Sequence, residues 1–370
     1  MSVPIKIDLN DPTMIFSLAG LSVFTLIATL IVTHLIRHMA LRAGIVDAPG
    51  GRKQHEKPVP PVGGIAMFIV LLPMMILVGN IFSIQIPWAL LLSLAIILIV
   101  GLIDDVWEVE ARIKFVAHFL VAGILVIGGG AQISTLGNLL GLGELNLGWL
   151  AVPFSIACVV YIINAVNMMD GLDGLAGGNA LIIFLWFGLS ALWHGYGAGG
   201  IEIALFCSAL LGFLFFNARS PWRKHASVFL GDAGSMGIGV MIAWYAITLS
   251  QAPHHVIEPV SVAWVIALPI IDAFGLLVAR LKDKKHPFAP DRRHFHHHFI
   301  NAGFGVGAAV YTILAWSVIL GGIGVIGVWV GLPQGGLGWA WVILWLSHAG
   351  LTIHSEKFIQ ILSRFSGRPT

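Results

Sequence analysis

The chain has 370 residues, of which 58% are hydrophobic and only 10% charged, with a net charge of +2 and a mean hydropathy of +0.91. Soluble chains carry about 25% charged residues, so a soluble globular domain of this size is excluded. The apolar runs approach the roughly 20 residues of a membrane-crossing helix rather than the ~10 of a barrel strand. The expected class is all-α, a polytopic integral membrane protein.

Eleven apolar segments follow in chain order, at roughly 14–36, 63–80, 86–103, 113–130, 149–166, 179–194, 200–217, 228–249, 259–281, 308–330 and 337–355. Several are short or interrupted by glycine, which leaves ten as the alternative count. The first run is too long for the core of a signal peptide, and Lys6, Asp8 and Asp11 before it are not a basic leader, so no cleaved signal is expected. Cys158 and Cys207 lie inside apolar runs and read as small packing residues rather than a disulfide pair.

With eleven spans, the connections 37–62, 104–112, 167–178, 218–227 and 282–307 and the tail 356–370 share one side. Nineteen of the twenty Lys and Arg fall on that side, and only Lys6 on the other. The positive-inside rule makes the basic side cytoplasmic. The N-terminus is then periplasmic and the C-terminus cytoplasmic. No internal repeat or separate soluble domain is visible. The expectation is one transmembrane catalytic domain, residues 1–370, with the five basic-side loops forming its site. The nearly uncharged loop 131–148 reads as a small interfacial hairpin.

Carboxylates gather at the same ends. Asp104 and Asp105 close span three in "GLIDDVWEVE", Asp170 and Asp173 close span five in "NAVNMMDGLDGLAGG", and Asp232 opens span eight in "VFLGDAGSMGIG". One such pair is ordinary at a solvated helix end. Five beside hydrocarbon repel one another, and charge there is expensive. They call for a cation, and hard oxygen donors select Mg²⁺ or Mn²⁺. Asn164, Asn167 and Asp170 share one helical ridge. A continued helix would turn Asp173 away, so Gly171 and Gly174 are expected to break it and let both carboxylates face one pocket.

The stretch "HPFAPDRRHFHHHF" adds His294, His296, His297 and His298 with Arg292 and Arg293. Zinc is disfavoured, because adjacent histidines cannot all reach one tetrahedral ion and no cysteine is near. A clamp on phosphate, or a proton donor, suits these residues better; the bland alternative is a solvated basic loop that only enforces orientation. The loop "GGRKQHEKPVPPVGGIA" places Arg52, Lys53, His55 and Lys57 where a nucleotide phosphate could meet them. The glycines at 128–130 and 231–239 read as close helix packing, not as a phosphate-binding loop. Pro269 in span nine is expected to kink that helix, and Asp272 nearby either to support the site or to make a purely structural pairing.

These five motifs, in order and on one side, resemble the polyprenyl-phosphate N-acetylhexosamine-1-phosphate transferases. The resemblance covers residues 50 to about 305. It implies transfer of a sugar 1-phosphate from a UDP-sugar to undecaprenyl phosphate, with release of UMP, in a bacterial inner membrane, dependent on Mg²⁺ or Mn²⁺. No nucleic acid is implied, and a homodimer is plausible from the family alone. "PDRRHFHH" is similar to the N-acetylglucosamine branch, which starts O-antigen and related glycans, while the third consecutive histidine, His298, looks like the muramoyl branch. Another UDP-N-acetylhexosamine or 6-deoxy donor stays open.

By the same resemblance, Asp232 is the principal cation ligand, with Asp170 beside it. Asp104 and Asp105 stand near the lipid phosphate, one to orient or deprotonate it and the other to support the cation or a lysine. Asn167, Asp170 and Asp173 lie on the nucleotide side. Asn217 and Phe229 match a uridine pocket, and Lys53 is a weaker match. His294, His296 and His297 hold phosphates, with Arg292, Arg293 and His298 as further substrate contacts. Direct attack by the lipid phosphate is favoured over a covalent aspartyl intermediate. A transporter would place its polar groups near mid-membrane between repeated halves, and an intramembrane metallohydrolase would need spaced histidine ligands; neither pattern is present.

Overall fold

The computed structural model describes residues 12–47, 58–286, 291 and 293–366. Among them the regular structure is helical, broken only by isolated β-bridges such as Thr135 with Asn146 in the loop expected to be a hairpin. Among the described residues, ten helices are long and apolar enough to cross a membrane, and a bent pair makes an eleventh if it is one broken span rather than a re-entrant loop. The eleven expected segments are thus all present, with shifted ends.

In chain order the helices are α1 (Pro12–Ala43), α2 (Gly63–Ile81), α3 (Trp88–Trp107), α4 (Ala111–Gly123, extended by a π-turn to Gly128), α5 (Ala151–Met169), α6 (Leu175–Trp193), α7 (Gly197–Asn217) and α8 (Gly231–Ser250). There follow α9 (Pro259–Val265), α10 (Ala267–Lys282), the short α11 (Phe295–Asn301), α12 (Val306–Trp329), α13 (Gln334–Ile353) and α14 (Ser355–Ser363).

The first helix shows why the bundle suits lipid. Thr25, Thr29 and Thr33 are buried on one ridge, whereas Phe16, Phe24, Ile27, Ile31 and Leu35 are exposed. That is the reverse of a soluble helix: small polar residues pack inward, with the Thr25 and Thr29 hydroxyls donating to the Leu21 and Thr25 carbonyls, and apolar side chains face out.

The core is built around α8, buried along nearly its whole length and packed against α2, α3, α5 and α6. Its small residues permit this. Gly64 of α2 and Gly234 of α8 approach so closely that a Cβ on either would meet the backbone of the other.

The ninth span bends by 72° between α9 and α10. The kink lies at Ile266 rather than at Pro269. Pro269 sits in the first turn of α10, where a missing N–H leaves no helical bond unmade.

Among the described residues, several connections expected on the basic side are tied to one another. Arg37 Nε donates to the Ser227 carbonyl (3.0 Å), Phe229 N–H to the Pro60 carbonyl (3.0 Å), and the Asp105 carboxylate accepts Asp232 N–H. Non-contiguous pieces of chain, around Arg37, Pro60, Asp105 and Ser227–Asp232, are thereby joined.

Candidate active site

Asp105 closes α3 against the start of α8. Its Oδ1 accepts Asp232 N–H at 2.7 Å and its Oδ2 accepts Ala233 N–H at 3.2 Å. A carboxylate facing the unpaired N–H groups and positive dipole end of a helix is well placed. Both oxygens are thereby occupied, so Asp105 fixes where Asp232 stands.

Asp104, 100° round the helix, faces differently. Its Oδ1 accepts Val109 N–H at 2.6 Å and its Oδ2 pairs with Lys114 Nζ at 2.7 Å. Lys114 also reaches Asp232 Oδ2 at 3.4 Å, bridging the two carboxylates. Asp232 Oδ1 accepts from Asn167 Nδ2 at 3.0 Å, and that same amide reaches Ser235 Oγ at 2.9 Å. The Asp232 side chain remains 33% exposed, so it faces the open part of the site. Below, Asn164 Nδ2 donates to His118 Nδ1 at 3.0 Å, and His118 Nε2 lies 3.1 Å from Met236 Sδ. This polar floor locks α4, α5 and α8 together beneath the carboxylates.

Helix α5 stops at Met169, and α6 starts after Gly174, which has φ of +85°. The glycine-rich turn therefore breaks the helix as expected, but it separates the two carboxylates. Asp173 turns to the 218–227 loop, where its Oδ2 accepts Arg219 Nε at 2.8 Å and Ala226 N–H at 3.1 Å. Asp170 makes no side-chain hydrogen bond among the described residues. Burial, and then the Asp232, Asp105 and Asp173 carboxylates, push its carboxyl up to about 8. An acid kept protonated by neighbouring negative charge, beside the part-exposed Asp232, has the oxygen-donor chemistry of a hard divalent cation site.

Asn217 is buried and builds the turn. Its Oδ1 accepts Gly174 N–H at 2.7 Å and its Nδ2 donates to the Val228 carbonyl at 3.0 Å. It thus holds the Asp170–Gly174 turn against the strip leading to the half-buried Phe229. Lys53 and Arg292 lie outside the described residues.

The histidines sit on the short α11 and the residue before it. His294 Nδ1 lies 3.1 Å from Asp272 Oδ2, and Phe295 N–H donates to Asp272 Oδ1 at 2.8 Å, so Asp272 is the anchor of the histidine helix. His296 meets Gly171 so closely that a Cβ on Gly171 would run into its imidazole. This contact joins the histidine motif to the Asp170 turn. The His297 ring lies beside that of His296, tilted by 48° with centroids 4.3 Å apart, and is more open. Burial pushes the imidazoles of His296 and His298 down to about 3 and about 4, so both are neutral at pH 7.

His298 is buried against the Phe358 ring, with no hydrogen-bond partner on either nitrogen. Arg293 is committed to the loop, with Nη2 at 2.6 Å from Asp291 and Nη1 at 2.9 Å from Asp283. Asp272, His294 and His296 could bring one ligand atom each within 4.8 Å of one another. The Asp272 contact with His294 and the stacking of His294 on His296, ring centroids 5.3 Å apart, bring these three side chains together.

Lys114, Arg219 and Ser235 escaped the reading of the sequence. Lys114 had a signal: a cation one turn inside an apolar span is a functional candidate by default. Arg219 and Ser235 had none, since each acts through a partner distant in sequence.

Residues 87–250 match the profile of glycosyl transferase family 4. The chain is 33% identical over 303 residues, 80% of each chain, to undecaprenyl-phosphate α-N-acetylglucosaminyl 1-phosphate transferase of Salmonella typhi. It is 34% identical over 297 residues, 79% of each, to the protein of that name in Yersinia pestis. A probable undecaprenyl-phosphate N-acetylglucosaminyl 1-phosphate transferase of Bacillus subtilis is 30% identical over 296 residues, 79% of each. With the carboxylate cluster, the histidine helix and the membrane-spanning bundle, these likenesses make the chain a multi-pass bacterial membrane member of glycosyl transferase family 4, the polyprenyl-phosphate sugar-phosphate transferases.

Proposed function

We propose that the protein transfers N-acetylglucosamine 1-phosphate from UDP-N-acetylglucosamine to undecaprenyl phosphate, and so begins a lipid-linked glycan. The observation that carries this reading is the Asp104–Lys114–Asp232 bridge beside the uncompensated Asp170, at the end of the bundle where a lipid headgroup and a soluble nucleotide can meet. An oxygen of the lipid phosphate attacks the phosphorus that carries the sugar. A new P–O–P linkage forms, the bond to the bridging oxygen breaks, and UMP leaves with that electron pair. No protein nucleophile is required.

Such a reaction is governed by positioning and charge neutralisation. Asp232 and Asp170 would hold Mg²⁺ or Mn²⁺, which supplies neutralisation of the pyrophosphate charge. Asp105 fixes Asp232 through the α8 N-terminus, and Asn167 orients its other oxygen. Lys114 offers its ammonium to the incoming phosphate from between Asp104 and Asp232. Asn217 and Phe229 shape the nucleotide side. His296 and His297 present donors to phosphate oxygens beside Gly171. The five basic-side loops act as parts of one catalytic domain, which the positive-inside rule places in the cytoplasm together with the C-terminus.

The test is direct. Membranes carrying the protein are incubated with undecaprenyl phosphate, Mg²⁺ and labelled UDP-N-acetylglucosamine. Label is expected in the lipid phase, with UMP released in equal amount. A panel of other UDP-N-acetylhexosamines sets the donor. Absence of lipid label with every donor would overturn the reading.

A further inference from the structure

The histidine helix α11 has seven residues and no side-chain cap. A helix this short does not hold its own conformation, yet its rotation decides where His296 and His297 point. Beside its packing on α12, two restraints bear on that rotation. At its start, Asp272 receives His294 and Phe295 N–H. On its outer face lies α14, which follows α13 after a break at His354.

α14 has one apolar face. Phe358, Ile359 and Leu362 are half-buried, while Glu356, Lys357, Gln360 and Arg364 are exposed. The Phe358 ring lies parallel to Phe295 with centroids 6.2 Å apart, and it meets His298 edge-on at 5.3 Å. Leu362 packs on the cluster that contains Phe299, Val310 and Ile313. At 100° per residue, Phe295, His298 and Phe299 form one side of α11, and His296 and His297 the other. The face gripped by α14 is therefore opposite the face that meets Gly171. This also explains the buried, unpartnered His298: it serves as a wall for Phe358.

We propose that α14 is a positioning element for the histidine helix, and that Phe358 is the positioning residue that transmits it. This rests on the transferase reading above. Removing the ring would let α11 rotate and leave the carboxylate site untouched.

The experiment compares Phe358→Ala, Phe358→Tyr and the outward-facing control Ile361→Ala in the full-length protein. Phe358→Ala is expected to lower kcat about tenfold, with KM for the UDP-sugar and the Mg²⁺ half-saturation unchanged within about twofold. Phe358→Tyr keeps the ring and is expected to restore kcat, and Ile361→Ala to leave it unchanged. Hydrogen exchange at residues 294–301 is expected to quicken in Phe358→Ala while α8 stays protected. Unchanged kcat and exchange in Phe358→Ala would overturn the proposal, as would exchange rising equally in α8, which marks general destabilisation. If the wild type transfers no sugar phosphate, the transferase reading falls, and the exchange comparison still decides whether α14 holds α11.

Discussion

Asp105 Oδ1 accepts the backbone N–H of Asp232 at 2.7 Å. Two of the acidic residues thus stand in series: one fixes the helix from which the other projects. Asp105→Asn should keep one acceptor but turn an amide donor towards Ala233 N–H, and lose the charge facing the helix N-terminus. The expected result is loss of about 1–2 kcal/mol of stability and a fall in kcat of about a hundredfold. Paired thermal unfolding and turnover measurements check it; near-normal turnover would mean that Asp232 needs no such anchor.

Lys114 bridges Asp104 and Asp232 at 2.7 Å and 3.4 Å. Lys114→Met should lower activity about a hundredfold by leaving two carboxylates facing each other without a cation. Lys114→Arg should recover only part, since a planar guanidinium does not occupy the position of a compact ammonium. Full activity in the Met variant would remove Lys114 from the site.

Gly171→Ala would drive a methyl group into the buried His296 imidazole. The expected outcome is about a tenfold loss of kcat with stability lowered by about 1 kcal/mol. A variant with wild-type kinetics would show that the His296 position is immaterial.

The Asp170 carboxyl, pushed up to about 8 by burial and by three neighbouring carboxylates, holds a proton that a bound cation must displace. Apparent Mg²⁺ affinity should therefore fall about tenfold per unit below pH 8 and level off above it. Calorimetric titration in buffers of different ionisation enthalpy should show about one proton released per ion. Affinity independent of pH between 6 and 8 would remove Asp170 from the ligand set. EDTA should abolish transfer, and Mg²⁺ or Mn²⁺ should restore it.

His296 and His298 are kept neutral by burial, with values near 3 and 4 against about 6.5 in an unfolded chain. Above pH 6.5 both states bind no proton, and the contribution to stability is complete. As pH falls from 6.5 towards 4, the unfolded chain takes up protons that the fold refuses, and stability is lost. This contribution to the unfolding temperature in detergent should thus be flat above pH 7 and drop below 6, in opposition to that of Asp170, whose raised carboxyl favours the fold more as pH falls below about 8. His298→Phe should weaken that drop and leave stability at pH 7.5 unchanged or raised, because no hydrogen bond is lost. If it abolished activity at pH 7.5 without unfolding, His298 would belong to the substrate contacts after all.

Much of this was legible in the chain itself. Run lengths near 20 residues required membrane helices, and eleven runs correspond to the ten long helices and the bent pair. The turn at Asp170 to Gly174 was marked by its glycines, and Gly174 does adopt a left-handed φ. The kink of the ninth span was less legible: Pro269 was visible, but its position in a first turn makes it tolerated there, and the bend falls at Ile266. Asp173 and Arg293 were legible as polar residues of the basic-side loops, but the ion pairs that hold them, Asp173 with Arg219 and Arg293 with Asp291, were not.

Sequence alone determined the solvent, the positions of the apolar segments, the uneven distribution of charge along the chain and which residue types could carry the chemistry. Those follow from composition and local periodicity, because lipid forces each segment to satisfy its own backbone. The tertiary structure decided the division of labour among the carboxylates. Asp105 caps α8 and Asp104 binds Lys114, while Asp173 binds Arg219 and Asp170 makes no side-chain hydrogen bond among the described residues. Each of these roles depends on a partner brought near by helix packing, in which the close approach of Gly64 and Gly234 is one determining contact. Residue spacing along one chain carries no record of such partners.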